Sequence, residues 1–169
     1  MSRRVVVTGM APISAEVLGF ATNSDGGHLT QPDPAGMEQV MRLGLESAGV
    51  PAEAVAYVNA HATGTEQGDI AESNATHAVF GTRAAVSTLK GHMGHTLAAS
   101  GALEAWMSIE MMRAGWVAPT LNLEEIDERC APLDYVRDAP RALEADIIMS
   151  NNFAFGGINT SLLFRRWES

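Results

Sequence analysis

Cysteine is nearly absent from this 169-residue chain, which has a single one at Cys130. A disulfide needs two thiols and a cysteine-based metal site needs several, so the chain can form neither of these internally. A lone thiol is also typical of proteins in a reducing compartment. We therefore expect a cytoplasmic protein that is stabilised by a packed core.

Basic residues are scarce as well. Lys and Arg number 11 against 20 Asp and Glu, and the formal net charge is -9. Because nucleic-acid binding requires clustered cations that neutralise phosphates, this balance argues against a nucleic-acid partner. The apolar run in MSRRVVVTGMAP is short and is broken by Gly9 and Pro12. The sequence thus predicts neither a signal peptide nor a membrane-spanning segment.

The overall composition is typical of a globular domain. Hydrophobic residues make up 46% of the chain and charged residues 18%. Disordered chains have fewer apolar residues and a higher proportion of charge. A domain of this length buries roughly 70% of the surface of its unfolded chain. We therefore expect one domain with one core.

Predicted strands and helices alternate along the chain. β-Branched and apolar runs predict strands, and apolar positions three and four residues apart predict helices. The last two predicted strands, 146–153 and 158–166, flank the glycine turn AFGG. This order predicts an α/β domain with a layered, mixed sheet. The other predicted strands are 4–8, 15–23, 55–60, 83–89 and 133–137, and the predicted helices are about 36–49, 69–80 and 95–114.

Three polar clusters lie where predicted strands end. They are HATGT at 61–65, KGHMGH at 90–95 and NNFAFGG at 151–157. Ligand sites in open α/β sheets lie at the ends of strands. We therefore expect the three clusters to converge on one pocket.

The histidines of these clusters are candidates for acid–base or hydrogen-bonding roles. A pair of imidazoles can donate to an oxygen that becomes negative, and a nearby Lys90 would lower the proton affinity of an adjacent histidine. The pattern alone leaves a structural role open for His61, and it leaves open whether His92 or His95 points inward. A metal site is disfavoured, because no carboxylate or cysteine lies at a recognised ligand spacing.

Glu104 stands out because it lies within the apolar predicted helix 95–114. A carboxylate in such a helix is costly to bury unless it is paired, and Lys90 is the candidate partner.

On spacing alone, Phe153 and Phe155 are core residues and the glycine turn is a hairpin connection.

Five ordered motifs carry a resemblance to a known family. From Ala15 onward the chain resembles the β-ketoacyl synthases of fatty-acid and polyketide assembly, which are condensing enzymes of thiolase-like fold. Thiolases need a further cysteine where this chain has FAFGGIN, so the synthase type is preferred. The resemblance implies a thiolase-like half-domain with a layered, mixed five-stranded sheet and helices on both faces. The motifs are VNAHATGT with GDIAE, STLKGHMGHTLAASGALEA, PTLNLEEID, LDYV and SNNFAFGGINTSLLF.

The resemblance also implies roles for individual residues. His61 and His95 match the histidines that assist malonyl decarboxylation and hold the reacting carbonyl, and Lys90 with Glu104 matches a buried ion pair. Two threonines would bind the phosphopantetheine arm of an acyl carrier protein or CoA, and no covalently bound cofactor is expected. Phenylalanines would line or gate the acyl pocket, and glycines would let backbone approach the thioester. The implied substrate-binding residues are Thr63, Thr65, Asn151, Phe153, Phe155, Gly156 and Gly157.

Two departures from the family pattern affect the expected activity. Ala62 stands where the family has glycine, so a positive φ there would strain the loop. The family's nucleophilic cysteine belongs to its N-terminal half, and Cys130 in EIDERCAPLDYV is a structural or exposed thiol by position. Residues 1–14 resemble the family's first strand and loop, and 15–169 resemble its C-terminal domain. The resemblance therefore implies an internally truncated synthase that cannot condense alone, although malonyl decarboxylation could persist.

Two alternatives remain open at this stage. The chain could be a non-catalytic partner subunit that binds a synthase or an acyl carrier protein, or a deletion product without a function. Because half of the family's fold is missing, we also expect an apolar helix face to mediate a homodimer or pairing with another synthase-like chain. The residues predicted on this face are Leu103, Trp106, Met107, Ile109 and Met111.

Overall fold

The computed structural model describes residues 5–7 and 15–167. Most of the predicted remnant 1–14 therefore lies outside the described residues, and the division of the chain after residue 14 stays a prediction. The strands are β1 (Val5–Val7), β2 (Ala15–Ser24), β3 (Tyr57–Asn59), β4 (Ala85–Ser87), β5 (Trp116–Val117), β6 (Asp134–Tyr135), β7 (Arg141–Ala142), β8 (Ile147–Ala154) and β9 (Ile158–Arg166). The helices are α1 (Pro34–Ala48), α2 (Glu66–Phe80), α3 (Lys90–Met93) and α4 (Ser100–Ala114).

The main sheet is mixed, as predicted. Its order is β1-β2-β9-β8-β3-β4-β6. Strand β3 pairs in parallel with β4 and β8, whereas β2, β8 and β9 form antiparallel pairs through β9. The described sheet has seven strands rather than the five expected, because the short strands β1 and β6 extend its two edges.

Helices cover both faces of this sheet, which confirms the layered α/β prediction. Successive side chains of a strand point to opposite faces. Val58 accordingly packs in the cluster that contains α1 and α2, whereas its neighbour Tyr57 packs with α4. The buried apolar residues therefore form two clusters on either side of the sheet, rather than the single core expected.

Local chemistry explains where two of the helices begin. The Asp33 carboxylate accepts hydrogen bonds from the Ala35 and Gly36 N–H groups, and Pro34 is the first residue of α1. Helix α4 begins at Ser100, not at residue 95 as predicted, because Leu97 has φ +53° and cannot continue a right-handed helix. His95 consequently lies in the loop before α4.

The exposed apolar face of α4 is narrower than predicted. Ile109 and Met111 are buried against the sheet, which corrects their expected exposure. Leu103 and Met107 are half-buried, and Trp106 is 49% exposed. The difference arises because α4 turns Ile109 and Met111 toward the sheet. No helix in the described part of the chain is long and apolar enough to cross a membrane.

Candidate active site

All three polar clusters contribute to one cavity of about 850 Å³. The loop after β3 provides His61, Thr63 and Thr65, the loop before α4 provides His95, and the β8–β9 hairpin provides Phe155. The sheet order places the ends of β3 and β8 side by side, which brings the first and third clusters together. The cavity is therefore built at strand ends, as the sequence suggested.

Two of the three histidines that line the cavity contact each other, the third being His28. The His61 and His95 ring centroids are 5.3 Å apart and the rings are nearly perpendicular, at 88°. On its other side His61 packs against Phe153, with the ring centroids 6.2 Å apart. Two imidazoles at this separation can direct hydrogen bonds to one small group between or beside them.

The His61 ring is neutral at physiological pH. Burial lowers its pKa from 6.5 to about 3, and electrostatic interactions with Lys90 and His95 add to the effect, while a hydrogen bond with Asn152 opposes it. No hydrogen bond from the described residues reaches its buried Nδ1 atom.

Hydrogen bonding distinguishes His95 from His92. The His95 Nδ1 atom accepts from the Leu97 N–H at 3.2 Å, so in the neutral ring the proton is on Nε2. His92 instead directs Nε2 to the Pro119 carbonyl oxygen at 2.8 Å. His95 lines the cavity, whereas His92 ties α3 to the segment that follows β5.

Lys90 and Glu104 form a buried ion pair between α3 and α4. Their side chains are 6% and 0% exposed, and the Ser100 hydroxyl also donates to Glu104 Oε1 at 3.3 Å. Burial of this pair explains how a carboxylate is tolerated in so apolar a helix. The positive charge of Lys90 lies close enough to lower the pKa of His61.

Glu72 is a site residue that the sequence analysis missed, although it belongs to the GDIAE motif. It is buried on α2, and its two carboxylate oxygens accept from the His61 and Ala62 N–H groups, each at 2.7 Å. Ala62 has φ +27°, so the expected strain at this position is present. A signal was available, because an acidic residue on the inner face of a helix needs buried donors.

The implied pantetheine and acyl contacts lie at the cavity surface. The Thr63 and Thr65 hydroxyls are 3.1 Å apart and exposed. Phe155 is 76% exposed, whereas Phe153 is buried behind the histidines. Hydroxyls and an exposed ring at one opening suit a ligand with both polar and apolar parts.

Asn151, Gly156 and Gly157, which the resemblance also implies as site residues, have different surroundings. Asn151 is fully buried and accepts from the Ser161 hydroxyl at 2.8 Å, and its neighbour Asn152 lines the cavity instead. Gly157 lines the cavity and packs against Asp25, since a Cβ atom there would lie 2.1 Å from Asp25 Oδ1. Gly156 likewise donates its N–H to the Leu29 carbonyl.

Cys130 does not face the histidine pair. It lines a second cavity of about 430 Å³, on the side of α2 where the segment before β6 packs. Among the residues that the structure describes, no group of three or more His, Cys, Asp or Glu could hold a metal ion.

Comparisons with known proteins agree with this geometry. The family described as Beta-ketoacyl synthase, C-terminal domain, matches residues 14–124. A 3-oxoacyl-[acyl-carrier-protein] synthase 2 of Coxiella burnetii is 42% identical over 161 residues, which are 92% of this chain and 39% of that protein. The chain thus spans about two fifths of the length of such relatives.

Solved structures share the fold. A β-ketoacyl synthase from Burkholderia phymatum superposes with a TM-score of 0.92 at 59% identity, over 94% of this chain and 39% of that one. A ketosynthase in complex with its type II PKS acyl-carrier protein superposes with a TM-score of 0.87 at 29% identity, over 94% of this chain and 40% of that one. A ketosynthase in complex with its chain length factor, from Xenorhabdus doucetiae, superposes with a TM-score of 0.85 at 32% identity, over 92% of this chain and 40% of that one. The chain therefore belongs to the β-ketoacyl synthase family, and it corresponds to the C-terminal half of such an enzyme.

Proposed function

We propose that this chain forms the malonyl-activating half of a β-ketoacyl synthase site in fatty-acid or polyketide synthesis. The observation that carries the proposal is the contact between His61 and His95 inside one cavity, with their centroids 5.3 Å apart. The reaction of such a site is the decarboxylative Claisen condensation of acyl and malonyl thioesters. This chain supplies the groups for decarboxylation, and we place it in the cytoplasm because its one free thiol fits a reducing compartment.

The chemistry follows from the two imidazoles. When the C–C bond to the malonyl carboxylate breaks, its electron pair forms an enolate, and the thioester oxygen gains negative charge. The Nε2–H of His95 can donate to that oxygen, because its Nδ1 is already occupied by the Leu97 N–H. His61 is a neutral second partner. Without an acyl acceptor the enolate takes a proton and becomes an acetyl thioester.

The cavity opening fits the arm that delivers the thioester. Thr63 and Thr65 present adjacent hydroxyls that can hydrogen-bond the amides of a phosphopantetheine arm, and Phe155 can cover its acyl end. We therefore propose that an acyl carrier protein or CoA brings the substrate. The complex of a ketosynthase with an acyl-carrier protein supports a carrier protein as partner.

Condensation needs a thiolate that becomes acylated, and we propose that this chain does not provide one. Its one cysteine, Cys130, lines the second cavity and is not among the residues that line the cavity of the histidine pair. The chain incubated with malonyl and acyl carrier proteins should release carbon dioxide and leave acetyl carrier protein. It should form no β-ketoacyl product and no acyl-enzyme. Formation of a β-ketoacyl product that is lost in Cys130→Ser would contradict this proposal.

A second candidate function is that of a non-catalytic partner subunit. The observation that favours it is the apolar side of α4, where Trp106 is 49% exposed beside the half-buried Leu103 and Met107. This face suits a homodimer or a pairing with another synthase-like chain. The ketosynthase solved in complex with its chain length factor supports a protein partner. Carbon dioxide release that appears only after a cysteine-bearing synthase chain is added would favour this candidate.

A further inference from the structure

The backbone that presents His61 is held by one buried carboxylate. Glu72 is 4% exposed, and each of its two oxygens accepts from a different, consecutive N–H group, those of His61 and Ala62. Both distances are 2.7 Å, which is short for an N–H donor and typical of charge-assisted bonds. These bonds fix the orientation of two successive peptide planes of the loop relative to α2.

One of the two residues has a backbone conformation that it does not favour by itself. Ala62 has φ +27°, where its Cβ atom is crowded. Such conformations persist only when the surrounding structure holds them in place. The bond from the Ala62 N–H to Glu72 Oε2 is the contact that acts directly on this peptide plane.

The position of the His61 ring depends on the same peptide planes, because His61 directly precedes Ala62. We infer that Glu72 is a positioning residue, which holds the strained His61–Ala62 backbone and thereby keeps the His61 ring against His95. The inference deepens the proposed function, since it concerns the geometry of the same histidine pair. Its structural part does not depend on any activity.

The charges around Glu72 make this contact sensitive to pH. The facing titratable groups are Lys90 of α3, Asp69 of α2 and Tyr135 of β6. Burial raises the pKa of Glu72 to about 7, against the lowering effect of the two backbone donors and of Lys90. A protonated carboxyl has one strong acceptor oxygen instead of two. The hydrogen bonds from Glu72 to the loop therefore weaken below neutral pH.

The first test is nuclear magnetic resonance of the backbone amides of the full chain. In the wild type, the His61 and Ala62 amide signals should shift together with pH, with a midpoint near neutrality. In Glu72→Gln this shared transition should vanish, and the matched exposed variant Glu110→Gln should retain it. Two amides that do not titrate together in the wild type would overturn the inference. This part of the test uses the wild type alone, so it holds even if Glu72→Gln does not fold.

The second test separates positioning from substrate binding. Glu72→Gln should lower kcat for carbon dioxide release by about tenfold or more, with KM within about twofold, because misplaced groups mainly lower kcat. Adding Ala62→Gly, which relieves the strain, should recover part of the loss. A loss from Glu72→Gln that is equally large with and without Ala62→Gly would overturn the inference. If the amides titrate together but no carbon dioxide is released, the proposed function fails and the positioning role stands.

Discussion

Lys90 and Glu104 pair with each other in the interior, although they lie on different helices and 14 residues apart. Each charge is buried, so the removal of one leaves the other without compensation. This relationship links α3, which precedes the His95 loop, to α4, which follows it. The ion pair therefore fixes the ends of the segment that carries His95.

Replacing one residue of this pair should destabilise the fold far more than replacing both with apolar residues. Lys90→Met leaves the Glu104 carboxylate buried and unpaired, which should lower the free energy of unfolding by about 3–5 kcal/mol. The double variant Lys90→Met/Glu104→Leu should recover most of that loss. Urea unfolding followed by circular dichroism measures both. A double variant no more stable than the single one would contradict the assigned pairing.

His61 should remain neutral through the physiological range. Its pKa is lowered to about 3 by burial and by Lys90, so the ring nitrogens should keep the chemical shifts of a neutral imidazole between about pH 5 and pH 8. The unfolded chain binds this proton near pH 6.5 and the folded chain does not, so the contribution of His61 to stability is lost as pH falls from 6.5 toward 3. Imidazole ¹⁵N spectra, assigned with His61→Ala, measure this directly. A protonation step near pH 6.5 would refute the burial argument.

Much of the site could be predicted because its chemistry is local. Glu104 in an apolar helix required a partner, and Lys90 was the available one. The alternation of strands and helices predicted the layered sheet, and strand-end loops predicted the convergence of His61 with Phe155. These inferences depend on burial and periodicity, which can be read from residue types.

Other features depend on tertiary contacts that leave little trace in the sequence. The residue pattern without the family resemblance could not distinguish His92 from His95, because the choice depends on the turn at Leu97 and on the distant Pro119 carbonyl. The burial of Asn151 and the position of Asn152 at the cavity could not be predicted, because β8 is buried on both faces and such a strand gives no alternation that assigns side chains to faces. Glu72 was missed for a related reason, since its donors lie on a loop that folds back onto α2.

The glycine turn offers a matched pair of substitutions. Gly156 and Gly157 have φ of 78° and 73°, but a Cβ atom at Gly156 would meet nothing within 4 Å. Gly156→Ala should therefore lower stability by roughly 1–2 kcal/mol through backbone strain alone. Gly157→Ala adds a clash with the Asp25 carboxylate, so its melting temperature should fall further. Equal losses would show that Asp25 does not pack against this turn.

The exposed side of α4 should govern association. Trp106→Glu places a charge in the apolar patch, so it should shift any oligomer toward monomer in light scattering. Trp116→Glu is the matched control, because Trp116 is 40% exposed but lies on β5. A wild type that is monomeric at every concentration, with or without a synthase partner chain, would rule out this interface.

The central claim is that His61 and His95 act together on a malonyl thioester. The most direct measurement is the rate of carbon dioxide release from malonyl carrier protein by the wild type and three histidine variants. We predict that His61→Ala and His95→Ala each lower the rate by about 100-fold or more, while His92→Ala, which lacks only the bond to Pro119, keeps most of it. A wild-type rate no higher than that of His61→Ala and His95→Ala would contradict the account.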